Sequence, residues 1–272
     1  MEFGRPREFF IGRYIYLNER LDQLPIATIS HRGEKTEIAH YVIDRSTGEY
    51  KRRRISDKNP QWEQWVRIAV ERETLKEQLK ILKSDWKKEC KGSLEQEASA
   101  YRILKPAQPD FNPDLWDHLQ NNQNRKKIKN PFMYKGIIMR SQFETVIASI
   151  IDDMHLEFKY DTRLDLQKGP VSPDFAINMP EYRRCGFMEF LGALKDHSYV
   201  GDNAEKFENY ISSGLYINRD IIFLSGDKNY RPDYSTIREL ICVMVGAIAR
   251  RFVVHKDAPE FAGELGELPI DL

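Results

Sequence analysis

Two acidic residues lie inside segments that otherwise read as buried strands. Asp174 sits in Pro173-Asp174-Phe175, and Glu189 in Cys185-Gly186-Phe187-Met188-Glu189-Phe190-Leu191-Gly192. A carboxylate set among buried strand residues is costly unless it is paired or bound to a cation. Neighbouring strands lie about 4.8 Å apart, so two such acids on one face of a sheet come within reach of a single divalent ion. If the two strands are neighbours with the acids on one face, the pair can share a divalent metal.

The surrounding pattern is α/β from residue 140 onward. Ser141 is placed to cap a helix carrying Phe143, Val146, Ile147, Ile150 and Ile151 at helical spacing. Leu156 to Leu166 reads as one strand, 173–179 as a second and 184–191 as a third. Asp202 is expected to cap a helix with Phe207, Tyr210 and Ile211 that stops near Gly214. Asp220-Ile221-Ile222-Phe223-Leu224 is a buried strand, and a final helix spans about 235–252. Glu144 is a third acid to consider, because its neighbours Phe143 and Ile147 put it at the edge of an apolar stripe that faces the sheet.

The N-terminal part differs. Tyr14-Ile15-Tyr16-Leu17, Ile26 to Ser30 and Ala39 to Ile43 read as short strands separated by turn-like segments, a small antiparallel meander. It ends in the basic run Lys51, Arg52, Arg53 and Arg54. Asn59 and Pro60 then open a long amphipathic helix over 60–91, with Trp62, Trp65, Val66, Ala69, Leu75, Leu79, Leu82 and Trp86 along its stripe. Gly92 closes it. The stripe suits a seam either to a second helix at about 93–104 or to a partner chain. Pro106, Pro109, Pro113 and the run Gln120 to Asn124 then mark a linker, followed by the basic cluster Arg125, Lys126, Lys127 and Lys129. The expected division is 1–105 for the meander and helix, 106–130 for the linker, 131–255 for the α/β domain and 256–272 for an acidic tail.

Lys plus Arg and Asp plus Glu both total 42, so net charge points to no partner class. With no overall positive charge, the two basic clusters are the natural phosphate contacts. No apolar run approaches the roughly 18–20 residues that span a bilayer, and the N-terminus lacks a signal-peptide core, so a soluble cytoplasmic chain is expected. Cys90, Cys185 and Cys242 match neither a disulfide framework nor a zinc spacing. The six histidines are scattered, with His155 and His197 flanking the expected core. No Gly-rich phosphate loop, nucleophile motif or zinc-finger spacing is present.

Helix with Glu144, strand, Pro173-Asp174 strand, Glu189 strand, helix, strand is an order that resembles the PD-(D/E)XK nuclease superfamily. More narrowly, the chain is similar to a group of uncharacterised bacterial nuclease-like proteins. They share an Arg-Ser-x-x-Glu helix, here Arg140-Ser141-Gln142-Phe143-Glu144, a Pro-Asp-Phe strand, here Pro173-Asp174-Phe175, and a Glu-x-x-Gly strand, here Glu189-Phe190-Leu191-Gly192. The resemblance covers about 134–250 and extends weakly toward the N-terminus. It implies a restriction-endonuclease-like αβββαβ core, dependence on Mg²⁺ (or Mn²⁺) and action on nucleic acid; the expected activity is hydrolysis of phosphodiester bonds, with DNA favoured over RNA and the choice between them left open by the sequence. Asp174 and Glu189 would hold the metal, with Glu144 supporting it or orienting water. The superfamily places a lysine two residues after the second acid, and here that residue is Leu191. In similar sequences the lysine has moved to the next helix, where Lys206 matches its place; Lys195 is a second candidate. A different class of reading is a catalytically inactive nuclease-fold protein that binds nucleic acid or acts as a scaffold, pairing as a homodimer or with a protein partner through the 60–91 helix.

Overall fold

Residues 4–32, 35–43, 48–104, 115–123, 131–192, 197–226 and 231–258 are described by a computed structural model. They form a mixed α/β protein with several small sheets, and the chain divides into two units. One is Phe10–Ala100; the other is Tyr101–Leu272 together with Met1–Phe9.

The unit Phe10–Ala100 holds most of α1 (Arg7–Gln23), then β1 (Ala27–Arg32), β2 (Lys35–Ile43), β3 (Tyr50–Ile55), α2 (Trp62–Glu89) and α3 (Leu94–Ser99). Tyr14 to Leu17, expected as a strand, lies in the middle of α1. Its aromatic and β-branched residues suit a half-buried surface of either kind, and Phe10, Tyr14 and Leu17 share one face at i, i+4 and i+7. Phe10 and Leu17 are buried, and the Phe10 ring meets Trp86 edge-on at 5.6 Å. The remaining strands form the antiparallel meander β1-β2-β3. Helix α2 covers one face, packing Ala69, Trp62, Trp65 and Val66 on Ala27, Ile38 and Ile55. Asn59 does not cap α2 itself: its side chain accepts the Gln61 N–H at 2.8 Å, and Gln61 takes the cap position. Arg72 donates to the carbonyls of Leu21 and Leu24 at 2.7 and 2.8 Å, tying α2 to the end of α1. The expected second helix at 93–104 is shorter, running only from Leu94 to Ser99 under a Ser93 cap, because the chain turns extended at Tyr101.

The second unit runs through β4 (Tyr101–Ile103), α4 (Leu115–His118), β5 (Phe132–Tyr134), β6 (Ile137–Met139), α5 (Gln142–Asp153), β7 (Phe158–Tyr160), β8 (Leu164–Leu166) and β9 (Gly169–Val171). It continues with β10 (Phe175–Met179), β11 (Arg184–Leu191), α6 (His197–Ser212), β12 (Ile221–Ser225), α7 (Tyr234–Phe252) and β13 (Val253–His255). Its main sheet has the order β12-β11-β10-β7, with β10 antiparallel to both neighbours and β11 parallel to β12. The single strand expected over 156–166 is broken at Asp161, which has φ 53°. Beyond the break, β8 pairs with β9 instead. Helix α6 starts five residues before Asp202, at His197. Part of the expected linker is folded: α4 lies within it, and Leu119 is buried in the core beside Phe187 and Tyr210. Arg125, Lys126, Lys127, Lys129, Lys195 and residues 259–272 of the tail lie outside the described residues.

Strand alternation sorts the main sheet into two faces. Cys185, Phe187, Glu189 and Leu191 share one face with Ala176 and Ile221, and Tyr210 and Leu215 close a core there. Helices α5 and α7 meet the other face, where Phe143 packs on Phe190 at 4.5 Å. Gly186 permits the approach of α7, since a Cβ there would stand 2.6 Å from Met244 Cε. No helix of the described residues is long and apolar enough to cross a membrane. Phe187 is fully buried at the centre of the sheet, so Phe187→Ala is expected to lower unfolding stability by about 3–5 kcal/mol. Urea denaturation checks this, and a loss below about 1 kcal/mol would contradict the central placement of β11.

Candidate active site

The ladder between β10 and β11 pairs Phe175 with Met188. One step beyond, the same register sets Asp174 opposite Glu189, with both side chains on the face that α6 covers. Both are buried, at 7% and 4% exposure. Lys206 Nζ donates to Glu189 Oε1 at 2.6 Å, and the Tyr210 hydroxyl donates to the same oxygen at 2.5 Å. Lys206 and Tyr210 are four residues apart on α6, so one helix face delivers both. Asp174 Oδ2 accepts the Phe190 N–H at 2.7 Å, while its carbonyl accepts the Asp161 N–H at 2.8 Å.

Glu144 is placed by local sequence chemistry. Ser141 and Glu144 form a capping box at the start of α5: Ser141 Oγ accepts the Glu144 N–H at 3.2 Å, and Glu144 Oε2 accepts the Ser141 N–H at 2.7 Å. The Tyr160 hydroxyl donates to that same Oε2 at 3.0 Å. Just before the cap, Arg140 Nη2 donates to both carboxylate oxygens of Asp161 at 2.8 Å each. The motif Arg140-Ser141-x-x-Glu144 therefore links the helix cap to the strand break at Asp161, next to Asp174.

The electrostatics follow from crowding acids in a dry place. Burial holds the Asp174 carboxyl well above the usual carboxylate range, and the charges of Glu189 and Glu144 push it further, against the Phe190 N–H and the Lys206 ammonium. Burial also raises Glu189, opposed by Lys206 and Tyr210. The Tyr210 and Tyr160 phenols are pushed up by burial and by the neighbouring carboxylates, so both remain hydrogen-bond donors at neutral pH.

Each of the three acids commits one oxygen to the protein: Glu144 Oε2, Asp174 Oδ2 and Glu189 Oε1. Glu144 Oε1, Asp174 Oδ1 and Glu189 Oε2 accept no hydrogen bond from a described residue. Among the described residues, no group of three or more His, Cys, Asp or Glu side chains is arranged to hold a metal ion. A cation here would rest on the Asp174–Glu189 pair. An oxygen-only donor pair is the kind that Mg²⁺ or Mn²⁺ takes, since these ions keep several waters and require few protein ligands.

Leu191, where a lysine would stand two residues after Glu189, is a buried apolar side chain. Lys51, Arg52, Arg53 and Arg54 are exposed on β3 in the other unit. His155 is exposed in a left-handed turn after α5, and His197 opens α6. Sequence reasoning did not single out Tyr210, Tyr160 or Asp161 as site residues. Tyr210 carried a signal, since its spacing from Lys206 puts both on one helix face; Tyr160 and Asp161 carried none, because their roles depend on strand pairing.

The buried acids make stability depend on pH. Asp174 has a higher pKa in the fold than the ordinary 3.8. Its contribution is therefore fully present below that value and is lost as pH rises through the folded value. Asp174→Asn, which cannot ionise, is expected to melt higher than wild type at pH 8 in EDTA by about 4 °C or more, with the gap closing toward pH 4. A wild type that outlasts the variant at pH 8 would refute this electrostatic picture.

Comparison of the chain with family models, with curated proteins and with solved structures finds no match in any of the three.

Proposed function

We propose that the unit Tyr101–Leu272 is a metal-dependent nuclease that hydrolyses phosphodiester bonds of DNA, on a restriction-endonuclease-like core. The chain order α5, β7, β10, β11, α6, β12 supports that core, as does a main sheet with one parallel and two antiparallel pairings. The observation that carries the reading is the placement of Asp174 opposite Glu189, buried, with Lys206 against Glu189.

Asp174 and Glu189 would hold Mg²⁺ or Mn²⁺, with their uncommitted oxygens as the donors. Such a cation supplies charge neutralisation at phosphorus and a bound water of lowered pKa. The protein's own groups do the rest. Tyr210 fixes the Glu189 carboxylate, and the Lys206 ammonium donates toward a water or a phosphate oxygen beside it. Glu144, held rigid by Ser141 and Tyr160, orients water at the same centre. Arg140, bound to Asp161, adds positive charge near both metal-holding acids.

A second reading, a nuclease-fold protein that binds nucleic acid without cutting, is favoured by one feature. Lys206 already neutralises Glu189, which lessens its need for a metal.

Purified protein with supercoiled DNA, linear DNA and RNA in Mg²⁺ or Mn²⁺ separates the two. Cleavage is expected from wild type, with a loss of about 100-fold or more in Asp174→Ala and in Glu189→Ala; cutting that persists in both would sink the site. DNA retained on a gel but never cut would establish the second reading. Metal binding has a separate readout: Mn²⁺ at about 100 times its Kd is expected to stabilise wild type by about 2.7 kcal/mol in a thermal melt. Asp174→Asn should lose that shift, and an unchanged shift would place the ion elsewhere.

A further inference from the structure

The meander of the unit Phe10–Ala100 has two faces of different chemistry. Ala27, Ile29, Ile38 and Ile55 turn toward α2. Pairing of Ile38 with Ile55, Ala39 with Arg54 and Tyr41 with Arg52 fixes the alternation. Period two then puts Tyr41, Arg52, Arg54 and Tyr50 together on the face away from α2. Tyr50, Arg52 and Arg54 are exposed, Tyr50 at 57%, and Tyr41 is half-buried. Tyr41 and Arg52 are direct cross-strand neighbours. Tyr50 precedes Arg52 by two residues on the edge strand, roughly 7 Å along it. Glu37, the acid that the ladder sets on this face, is engaged by Arg54 at 3.3 Å.

From this face we infer a second binding site: a stacking platform for single-stranded DNA, with Tyr41 and Tyr50 receiving bases and Arg52 and Arg54 contacting phosphates. The choice of DNA over RNA rests on the proposed nuclease function. Charge complementarity selects a polyanion, since Lys51 to Arg54 are four consecutive exposed basic residues. The tyrosines select unpaired bases. A ring can stack only on a base face that is open, and duplex bases hide theirs against each other. Lys51 and Arg53 alternate toward the α2 side, and so add long-range charge rather than platform contacts.

Fluorescence anisotropy of a labelled oligothymidylate of about 15 nucleotides, with the full chain in EDTA, tests the platform without any cleavage. Wild type is expected to bind this strand and to prefer it to a duplex. Tyr41→Ala and Tyr50→Ala should each weaken binding about tenfold, whereas Tyr41→Phe and Tyr50→Phe, which keep the ring, should bind as wild type. Arg52→Gln with Arg54→Gln should lower the salt slope by about 1.4. Binding unaffected by either alanine variant, or equal affinity for duplex, overturns the platform. Should the Phe variants lose affinity as the Ala variants do, stacking is likewise refuted. The two proposals fail separately: loss of binding in the tyrosine variants with a wild type that never cuts keeps the platform and removes the nuclease. Cutting abolished by Asp174→Ala, with the tyrosine variants still binding fully, does the reverse.

Discussion

The second unit depends on how a buried glutamate is satisfied. Glu189 lies on a strand whose other residues on that face are apolar, and a carboxylate left alone there would work against the sheet. Two donors from one turn of α6 meet its Oε1, the Lys206 ammonium and the Tyr210 hydroxyl. The same turn seals the core around Phe187 and Ile221. Docking of α6 and tolerance of the acid are thus one condition: helix packing keeps water away, and the helix carries the charge that the missing water would have screened. Removing one partner alone leaves a buried charge, which is the expensive way to break such a pair.

Asp174 is held differently, by backbone rather than by a cation. Its Oδ2 takes the Phe190 N–H and its carbonyl takes the Asp161 N–H, so it bridges β11 and the break after β7. The left-handed Asp161 makes that break possible, and Arg140 holds the Asp161 side chain in place. The chain reaches the same spot from three directions through local devices: a helix cap, a strand break and an i,i+4 pair.

Much of this was legible in the sequence where the signal is local. The capping box at Ser141, the apolar runs of β10 to β12 and the stripe of α2 announce themselves through spacing of a few residues. The two acids stood out because their neighbours are apolar. Tyr14 to Leu17 misled because aromatic and β-branched residues fit a buried helix face as well as a strand, and only packing against residues far along the chain decides between them. The split of 156–166 was invisible, because a non-glycine residue with positive φ leaves no mark in composition. Tyr160 and Asp161 acquire their roles only through pairing with residues far along the chain. For the α1–β3 part, the run Lys51 to Arg54 was conspicuous as charge, but which of its members share a face could be read only from the register with β2.

Placing the cation on a helix instead of on the strand that carries its acid changes what a sequence change can do. On a strand, acid and lysine two residues apart move together, and a slip of one residue turns both to the opposite face. Here they ride on separate elements. Asn203, Lys206 and Tyr210 follow one another along a single face of α6, so exchanging side chains among them would slide the positive charge along the helix by about 5 Å per turn. The sheet could keep its register while the charge balance of Glu189 is retuned from α6.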